Sequence, residues 1–279
     1  MIRTAIQLKA RIRNLSGGDN DRARMLIRNF VMERFLERIA LSPYRNNFIL
    51  KGGMLVAAVV GLETRATMDI DATVRALPLT SENARRVVEE IIRTDIPDGV
   101  RFTITRVSDI MEGHDYPGIR FMLEASLDKM KQVIKVDIST GDIITPGAVE
   151  YAYKLMLEDR SISILTYNLE TLLGEKLETI MARETLNTRM RDFYDIHILL
   201  AQKTVDYRLL RNAFLATSEK RATTALIPRF DAILESIRSD STMKALWDKY
   251  RKENYFVGDL TWEDVNQSVK KLKEAAFTT

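Results

Sequence analysis

Residues 50–74 read LKGGMLVAAVVGLETRATMDIDATV and set the architecture of the first half of the chain. A glycine pair, Gly52-Gly53, is followed by residues 54–60, which are apolar throughout and end at Gly61. This run is typical of a buried helix, although periodicity alone does not separate it from a strand. A glycine pair also lets the backbone approach another group closely, and phosphate is a natural candidate for that group.

Two carboxylates follow on a predicted strand, residues 67–74. Residues two apart on a strand project from the same face, so Asp69 and Asp71 point the same way and Ile70 faces the core. Parallel carboxylates a few ångströms apart repel each other unless a cation lies between them. The pair therefore favours a divalent metal ion, although an isolated Asp-x-Asp pair more often lies on a solvated strand face.

A third carboxylate strengthens the metal hypothesis. Residues 132–139 alternate between apolar side chains on one face and Lys135 and Asp137 on the other. If this strand lies beside the Asp-x-Asp strand, three carboxylates converge. Three carboxylates together with substrate phosphates suit one or two Mg²⁺ or Mn²⁺ ions.

The amino-acid composition limits the kinds of catalytic and metal site that the chain can form. The chain has 279 residues, 46% hydrophobic and 29% charged, which is a globular composition with room for about two domains. It contains 0 Cys and 2 His, which excludes disulfide scaffolds, thiolate zinc sites, iron–sulfur clusters and Cys nucleophiles. A metal site must therefore be mainly oxygen-ligated. We expect a cytoplasmic protein without a membrane partner, because no apolar run approaches a membrane span and the N-terminus lacks the apolar core of a signal peptide.

Basic residues gather near the N-terminus, although the formal net charge is only +3. Through residue 45 there are ten basic and four acidic side chains. A basic face in this segment could meet nucleic acid or nucleotide phosphates. The alternative is a solvated helix face without a ligand.

The remaining pattern predicts an α+β fold. Residues 21–40 indicate an amphipathic helix capped by Asp19 or Asn20, and residues 81–93 a helix capped by Ser81. Strands are predicted at 67–74, 101–107, 119–125 and 132–139, and later helices at 169–183, 190–201, 207–217, 224–238, 243–250 and 262–275. This order predicts two domains. The first, residues 1–158, is a small mixed sheet with helices and includes the basic N-terminal helices. The second, residues 159–279, is all-helical.

The motifs resemble those of the nucleotidyltransferase superfamily, whose first motif is a Gly-Gly or Gly-Ser turn and helix leading to a strand with Asp-x-Asp. More narrowly, residues 48–200 resemble the AbiEii/AbiGii group of bacterial toxins from type IV toxin–antitoxin, or abortive infection, systems. The matching positions are Lys51-Gly52-Gly53, Arg65, Thr67, Asp69, Asp71, Asp137, Leu172 to Lys176, Arg189, Asp192 and Asp195. Arg191 stands where the group has Lys, which keeps the charge but changes its shape.

This resemblance implies a nucleotidyltransferase-like N-terminal domain and a toxin that serves in phage defence. Such an enzyme would bind a nucleoside triphosphate, with GTP as a candidate, together with Mg²⁺ or Mn²⁺. It would pass a nucleotidyl group to an acceptor hydroxyl with release of pyrophosphate. RNA, and transfer RNA in particular, is the implied acceptor. A cognate antitoxin would act genetically or at the promoter.

The resemblance also implies roles for individual residues. Asp69, Asp71 and Asp137 would hold the metal, Lys176 would neutralise the triphosphate, and Asp192 would assist near the acceptor hydroxyl. The other nucleotide-binding positions would be Lys51, Gly52, Gly53, Arg65, Thr67, Arg189 and Asp195.

The residues also support other interpretations. The acceptor could be a protein or a small molecule such as an antibiotic, or the chain could be a non-catalytic, nucleotide-dependent binding module. A lone lysine such as Lys176 is most often an exposed residue on an amphipathic helix, and Asp195 could serve only to bind Arg189 or a helix N-terminus. His197 lies in a largely apolar helix and is interpreted as a buried structural histidine.

Overall fold

The chain folds into two compact units, which are described separately. The computed structural model describes residues 1–78, 80–110 and 118–278. The first unit comprises Met1–Ala58, Ala66–Asp142 and Val149–Thr166. The second comprises Val59–Arg65, Ile143–Ala148 and the chain from Tyr167 onward. The α+β class with C-terminal helices, expected from the sequence, is confirmed.

A mixed sheet of seven strands, counted among the described residues, forms the centre of the first unit. The strands are β1 (Phe48–Lys51), β2 (Asp69–Val74), β3 (Arg101–Ile110), β4 (Gly118–Leu127), β5 (Met130–Thr140), β6 (Val149–Lys154) and β7 (Ser161–Thr166). Their order across the sheet is β3-β4-β5-β2-β1-β7-β6. β2 pairs in parallel with β5, and β1 in parallel with β7, whereas the other neighbours are antiparallel.

The four predicted strands are all present as β2 to β5, with ends shifted by a few residues. β1, β6 and β7 were not predicted. β1 has only four residues, which is too short for a periodic signal. β6 lies at the sheet edge with mostly exposed or half-buried side chains, although its sequence alternates Val149, Tyr151 and Tyr153 with Glu150 and Lys154, which is a strand signal.

Four helices begin among the described residues of the first unit. They are α1 (Ala5–Ser16), α2 (Asn20–Leu41), α3 (Gly52–Val60) and α4 (Ser81–Ile92). Asp19 caps α2 by accepting two backbone N–H groups. The expected cap of α4 was wrong, because Thr80 and not Ser81 accepts the N–H of Asn83, at 3.2 Å. A cap residue needs an extended backbone, which Thr80 has, and Ser81 is already helical.

α2 differs from the amphipathic helix that was expected. Residues 29–39 are all buried, because α1, α4, β5 and β7 pack around the helix. The buried arginines are paired: Arg38 donates to both carboxylate oxygens of Asp98 at 2.8 and 3.0 Å, and Arg34 lies 2.9 Å from Glu37. The solvated-face interpretation is therefore wrong for these arginines.

The second unit is helical over its described residues from Leu169 onward. Its α-helices are α5 (Leu169–Arg183), α6 (Met190–Gln202), α7 (Tyr207–Lys220), α8 (Phe230–Ser239), α9 (Ser241–Glu253) and α10 (Trp262–Thr278). The single helix predicted over 224–238 is instead a 3₁₀ helix over Thr224–Arg229 followed by α8. Pro228 accounts for the break because proline lacks the N–H that an α-helix requires.

His197 on α6 contacts a side chain of α10. Its ring is half-buried, and Nδ1 lies 2.9 Å from Ser268 Oγ on α10. The histidine is therefore less buried than expected, and it contacts a hydroxyl. None of the helices in the described part of the chain has the length and hydropathy of a bilayer-spanning segment.

Candidate active site

Two parallel neighbours, β2 and β5, bring the predicted carboxylates together. Asp71 lies opposite Asp137 in the strand register, and Asp69 lies opposite Lys135. Asp69 and Asp71 share a strand face because they are two residues apart. One carboxylate oxygen from each of Asp69, Asp71 and Asp137 lies within 4.8 Å of the other two. The strand pairing on which the metal hypothesis depended is therefore present.

The three carboxylates lie in a poorly solvated place. Asp69 is buried, and Asp71 and Asp137 are half-buried. Burial and then the charges of Asp69 and Asp137 raise the pKa of Asp71 to about 6. The cluster therefore carries negative charge that its neighbours neutralise only in part, which is the electrostatic condition for binding a cation.

Two basic side chains that were not predicted as site residues accompany the carboxylates. Lys135 Nζ lies 2.6 Å from Asp69 Oδ2 and 3.6 Å from Asp137 Oδ2. Arg120 on β4 donates two hydrogen bonds of 2.8 Å to the two oxygens of Asp137. The alternation of β5 already placed Lys135 beside Asp137, so the sequence held that signal. Arg120 could be found only from the register of β4 with β5.

Gly52 lies so close to Asp71 that position 52 has no room for a side chain. Its φ is +65°, a left-handed conformation that favours glycine. A Cβ atom at Gly52 would lie 2.2 Å from Asp71 Oδ2, which is too close for any side chain. Gly53 is buried in the first turn of α3. The glycine pair thus brings the backbone close to another group, and in this structure that group is the Asp71 carboxylate.

Lys51 and Thr67 flank the carboxylates with partners of their own. Lys51 Nζ lies 2.6 Å from Asp142 Oδ2, which also accepts a 2.7 Å hydrogen bond from Ser139. Thr67 donates to Asp69 Oδ1 at 3.2 Å and so helps to fix that carboxylate. Asp142 was not predicted from the sequence, because its position two residues beyond β5 carries no recognisable motif.

A second cluster lies inside the second unit. Lys176 on α5 contacts Asp192 and Asp195 on α6, with Nζ–Oδ distances of 2.7 Å to each. Arg65 Nε lies 2.6 Å from Asp195 Oδ1. Lys176 is only 8% exposed, so its interpretation as an exposed surface lysine is wrong. The partner expected for Asp195 was also wrong, since Arg189 lies 3.5 Å from Asp192 instead.

The ion pairs keep this cluster charged despite its burial. Burial alone would lower the pKa of Lys176, but Asp192 and Asp195 hold it above the usual value. Burial alone would raise the pKa of Asp195, but Arg65 and Lys176 hold it below the usual value. The predicted site residues thus form two groups, with Lys51, Gly52, Gly53, Thr67, Asp69, Asp71 and Asp137 in the first unit and Arg65, Lys176, Arg189, Asp192 and Asp195 in the second.

Comparison with known proteins identifies the family of the chain. The family model described as nucleotidyl transferase AbiEii toxin, type IV toxin–antitoxin system, matches residues 34–271. MenT4, a nucleotidyltransferase toxin from Mycobacterium tuberculosis H37Rv, has a similar structure, with a TM-score of 0.60 and 15% identity over 97% of this chain and 98% of that one.

JHP933 from Helicobacter pylori matches with a TM-score of 0.49 and 16% identity over 91% of this chain and 92% of its own. No curated protein sequence matches. The family match covers most of the chain and includes both groups of site residues. The chain therefore belongs to the AbiEii family of nucleotidyltransferase toxins of type IV toxin–antitoxin systems.

Proposed function

We propose that this toxin binds a nucleoside triphosphate together with Mg²⁺ or Mn²⁺ and transfers a nucleotidyl group to RNA. The observation that carries the proposal is the convergence of Asp69, Asp71 and Asp137 on one face of the β2–β5 pair in a chain of this family. In the transfer, an acceptor hydroxyl oxygen bonds to the α-phosphorus of the nucleotide and pyrophosphate leaves.

The three carboxylates fit a hard divalent cation. All the donor atoms are oxygens, which Mg²⁺ and Mn²⁺ prefer over softer ligands. Three carboxylates face two cations, Lys135 and Arg120, so negative charge is in excess, as the raised pKa of Asp71 indicates. A bound divalent ion would supply Lewis-acid activation of the phosphate and the attacking oxygen. Asp69, Asp71 and Asp137 are the residues that would hold it.

The residues around the carboxylates have proposed roles toward the nucleotide. Gly52 and Gly53 are proposed to approach a phosphate at the start of α3, next to the Asp71 carboxylate that Gly52 already approaches, and Thr67 orients Asp69. Lys51 adds a positive charge, which forms an ion pair with Asp142 in this structure.

In the second unit we propose that Lys176 binds phosphate oxygens, with Arg65 and Arg189 as further cations. Asp192 is proposed to orient the acceptor hydroxyl and Asp195 to hold Lys176 in place.

The acceptor of the nucleotidyl group distinguishes this proposal from the alternative functions. RNA is favoured over a protein or a small molecule because the first helix of the chain is basic and exposed. A non-catalytic nucleotide-dependent binding module would have no use for three converging carboxylates. We further propose cytoplasmic action in phage defence, with GTP as a candidate donor, transfer RNA as a candidate acceptor, and an antitoxin that acts genetically or at the promoter.

Nucleotide labelling tests the proposal. Purified protein is incubated with Mg²⁺ or Mn²⁺, total RNA, cell lysate and each of the four α-labelled nucleoside triphosphates. Asp69→Asn and Asp137→Asn are compared with Asp159→Asn, an exposed carboxylate in the turn between β6 and β7. We expect one nucleotide to label small RNA, with loss of label in the first two variants only. Label in a protein band would support the protein-modifying alternative. Nucleotide binding without any label would support the binding module.

A further inference from the structure

The first helix of the chain carries basic side chains and no acidic side chain that would neutralise them. α1 carries Lys9, Arg11 and Arg13 and no acidic residue, and Arg3 precedes it. All four side chains are exposed. Within residues 1–78, 80–110 and 118–278, none of the four takes part in an ion pair. Their charge is therefore available to a ligand.

These charges have no part in holding α1 in place. The helix is attached through its buried Ala5, Leu8, Ile12 and Ser16, which recur at helical spacing on one face. The basic residues lie off this face. Arg3 beside the helix N-terminus is even unfavourable toward the helix dipole. A series of exposed like charges that does not stabilise the fold can attract an anionic partner.

The basic series continues toward the carboxylates. Arg24 and Arg28 lie one turn apart on α2, the next helix, and Arg24 pairs there with the exposed Asp21 at 3.3 Å. Arg28 donates to the sulfur of Met68, which is exposed and directly precedes Asp69. We call the set Arg3, Lys9, Arg11, Arg13, Arg24 and Arg28 the basic track. One end of the track therefore contacts the residue that directly precedes a proposed metal ligand.

The other end of the track is far from that ligand. Ala5 N donates to Asp128 Oδ2 at 2.7 Å in the turn between β4 and β5. Asp69 lies opposite Lys135, five residues along β5 from Met130, which is roughly 17 Å at the rise of a strand. A nucleic acid backbone can follow the whole of this separation with its repeated phosphates.

A groove beside α1 adds hydrogen-bonding groups. Gln7, Arg11 and Asn14, one helical turn apart, line a cavity of about 460 Å³ that also includes Leu157. Amide side chains both donate and accept hydrogen bonds, as ribose hydroxyls and unpaired bases require. Guanidinium groups bind phosphate through two parallel hydrogen bonds. The combination favours RNA over an acidic protein surface.

We propose that the basic track binds the phosphate backbone of the RNA acceptor, with an RNA end lying beside Asp69. This inference rests on the proposed nucleotidyl transfer to RNA for the role of that end. The docking itself requires neither nucleotide nor metal, so it is tested separately from transfer.

Salt-dependent binding tests the track. The full chain, without nucleotide or metal, is titrated into a fluorescein-labelled RNA hairpin with a single-stranded 3′ end, and anisotropy is recorded. Four phosphate contacts would weaken binding about 100-fold between roughly 50 and 200 mM salt. In Lys9→Gln/Arg11→Gln/Arg13→Gln we expect binding at least about tenfold weaker at the lower salt, and a log–log salt slope smaller by about 2 to 3.

A matched control removes three exposed lysines from α9 and α10 instead, in Lys244→Gln/Lys252→Gln/Lys271→Gln. The control should bind the hairpin as the wild type does. Equal Mn²⁺ affinity of the track variant and the wild type would show that the track variant is folded. Unchanged RNA binding in the track variant would overturn the proposal, and so would wild-type affinity for polyglutamate equal to that for RNA. If the track binds RNA but no label is transferred, the proposed reaction fails and the docking surface stands.

Discussion

The ammonium nitrogen of Lys135 lies 2.6 Å from Asp69 Oδ2, within the cluster of carboxylates proposed to bind metal. It also lies 3.6 Å from Asp137, so a single cation bridges two of the three carboxylates. A divalent ion bound to these oxygens must therefore compete with Lys135. The side chain is 30% exposed, so it has room to move aside.

We predict that Lys135→Met binds Mn²⁺ roughly tenfold more tightly than the wild type, because the variant removes a competing positive charge. Isothermal titration measures the affinity. Lys131→Met is the control, because Lys131 is on the same face of β5 but pairs with Glu124 at 2.7 Å. Equal Mn²⁺ affinity in Lys135→Met and the wild type would show that Lys135 does not occupy the place of the ion.

Asp71 makes metal binding dependent on pH near neutrality. Burial and its carboxylate neighbours raise the pKa of Asp71 to about 6. The carboxylate must lose its proton to bind metal, so affinity is retained above this pH and lost below it. We predict that Mn²⁺ affinity falls about tenfold per pH unit below about pH 6. Asp71→Asn should bind more weakly, with a flatter pH profile, and a profile as steep as that of the wild type would contradict the assignment.

Gly52→Ala and Gly17→Ala form a matched pair. Both glycines have nearly the same φ, +65° and +62°, but an added Cβ meets Asp71 only at Gly52 and nothing within 4 Å at Gly17. Both variants carry a left-handed strain of about 1–2 kcal/mol. Gly52→Ala should lower the free energy of unfolding by about 2 kcal/mol more, the usual cost of overpacking. Urea unfolding measures the difference, and equal losses would show that Asp71 moves away freely.

Lys176 should contribute to stability apart from any role toward nucleotide. In Lys176→Met the buried Asp192 loses its 2.7 Å partner, and Asp195 keeps only Arg65. We predict a loss of about 3 kcal/mol in the free energy of unfolding, because the buried Asp192 is left with only its longer 3.5 Å contact to Arg189. Lys176→Met/Asp192→Asn should recover part of this loss, which a double-mutant cycle reports. A Lys176→Met variant as stable as the exposed control Lys203→Met would contradict a structural role.

Burial of Glu33 on α2 makes the free energy of unfolding depend on pH. Burial raises its pKa to about 8, although the backbone N–H of Met156 donates to both carboxylate oxygens. The folded state therefore holds a proton that the unfolded state releases above its ordinary value of 4.5. Its contribution to stability is full below that value and is lost as the pH rises to about 8.

Relative to Glu33→Gln, the wild type should lose about 1.4 kcal/mol of unfolding free energy per pH unit across this window. Urea unfolding of the wild type and the variant at several pH values measures the difference. A difference that does not change with pH would show that Glu33 is charged in the folded protein.

The sequence by itself determined the local geometry of the candidate site. Strand alternation placed Asp69 and Asp71 on one face and Lys135 beside Asp137, because side chains on a strand repeat every two residues whatever the strand contacts. The bounds of α5 followed from helical spacing for the same reason. Glycine followed by glycine predicted a close backbone approach. These features depend on residues a few positions apart.

The tertiary structure alone decided which of these faces meet. The parallel register that sets Asp71 opposite Asp137, and the contact of Arg120 with Asp137 across β4 and β5, arise from strand pairing. Arg65 and Asp195 meet across 130 positions of sequence. Pairing and burial depend on which distant segments share a core, and side-chain periodicity within one segment contains no information about that choice.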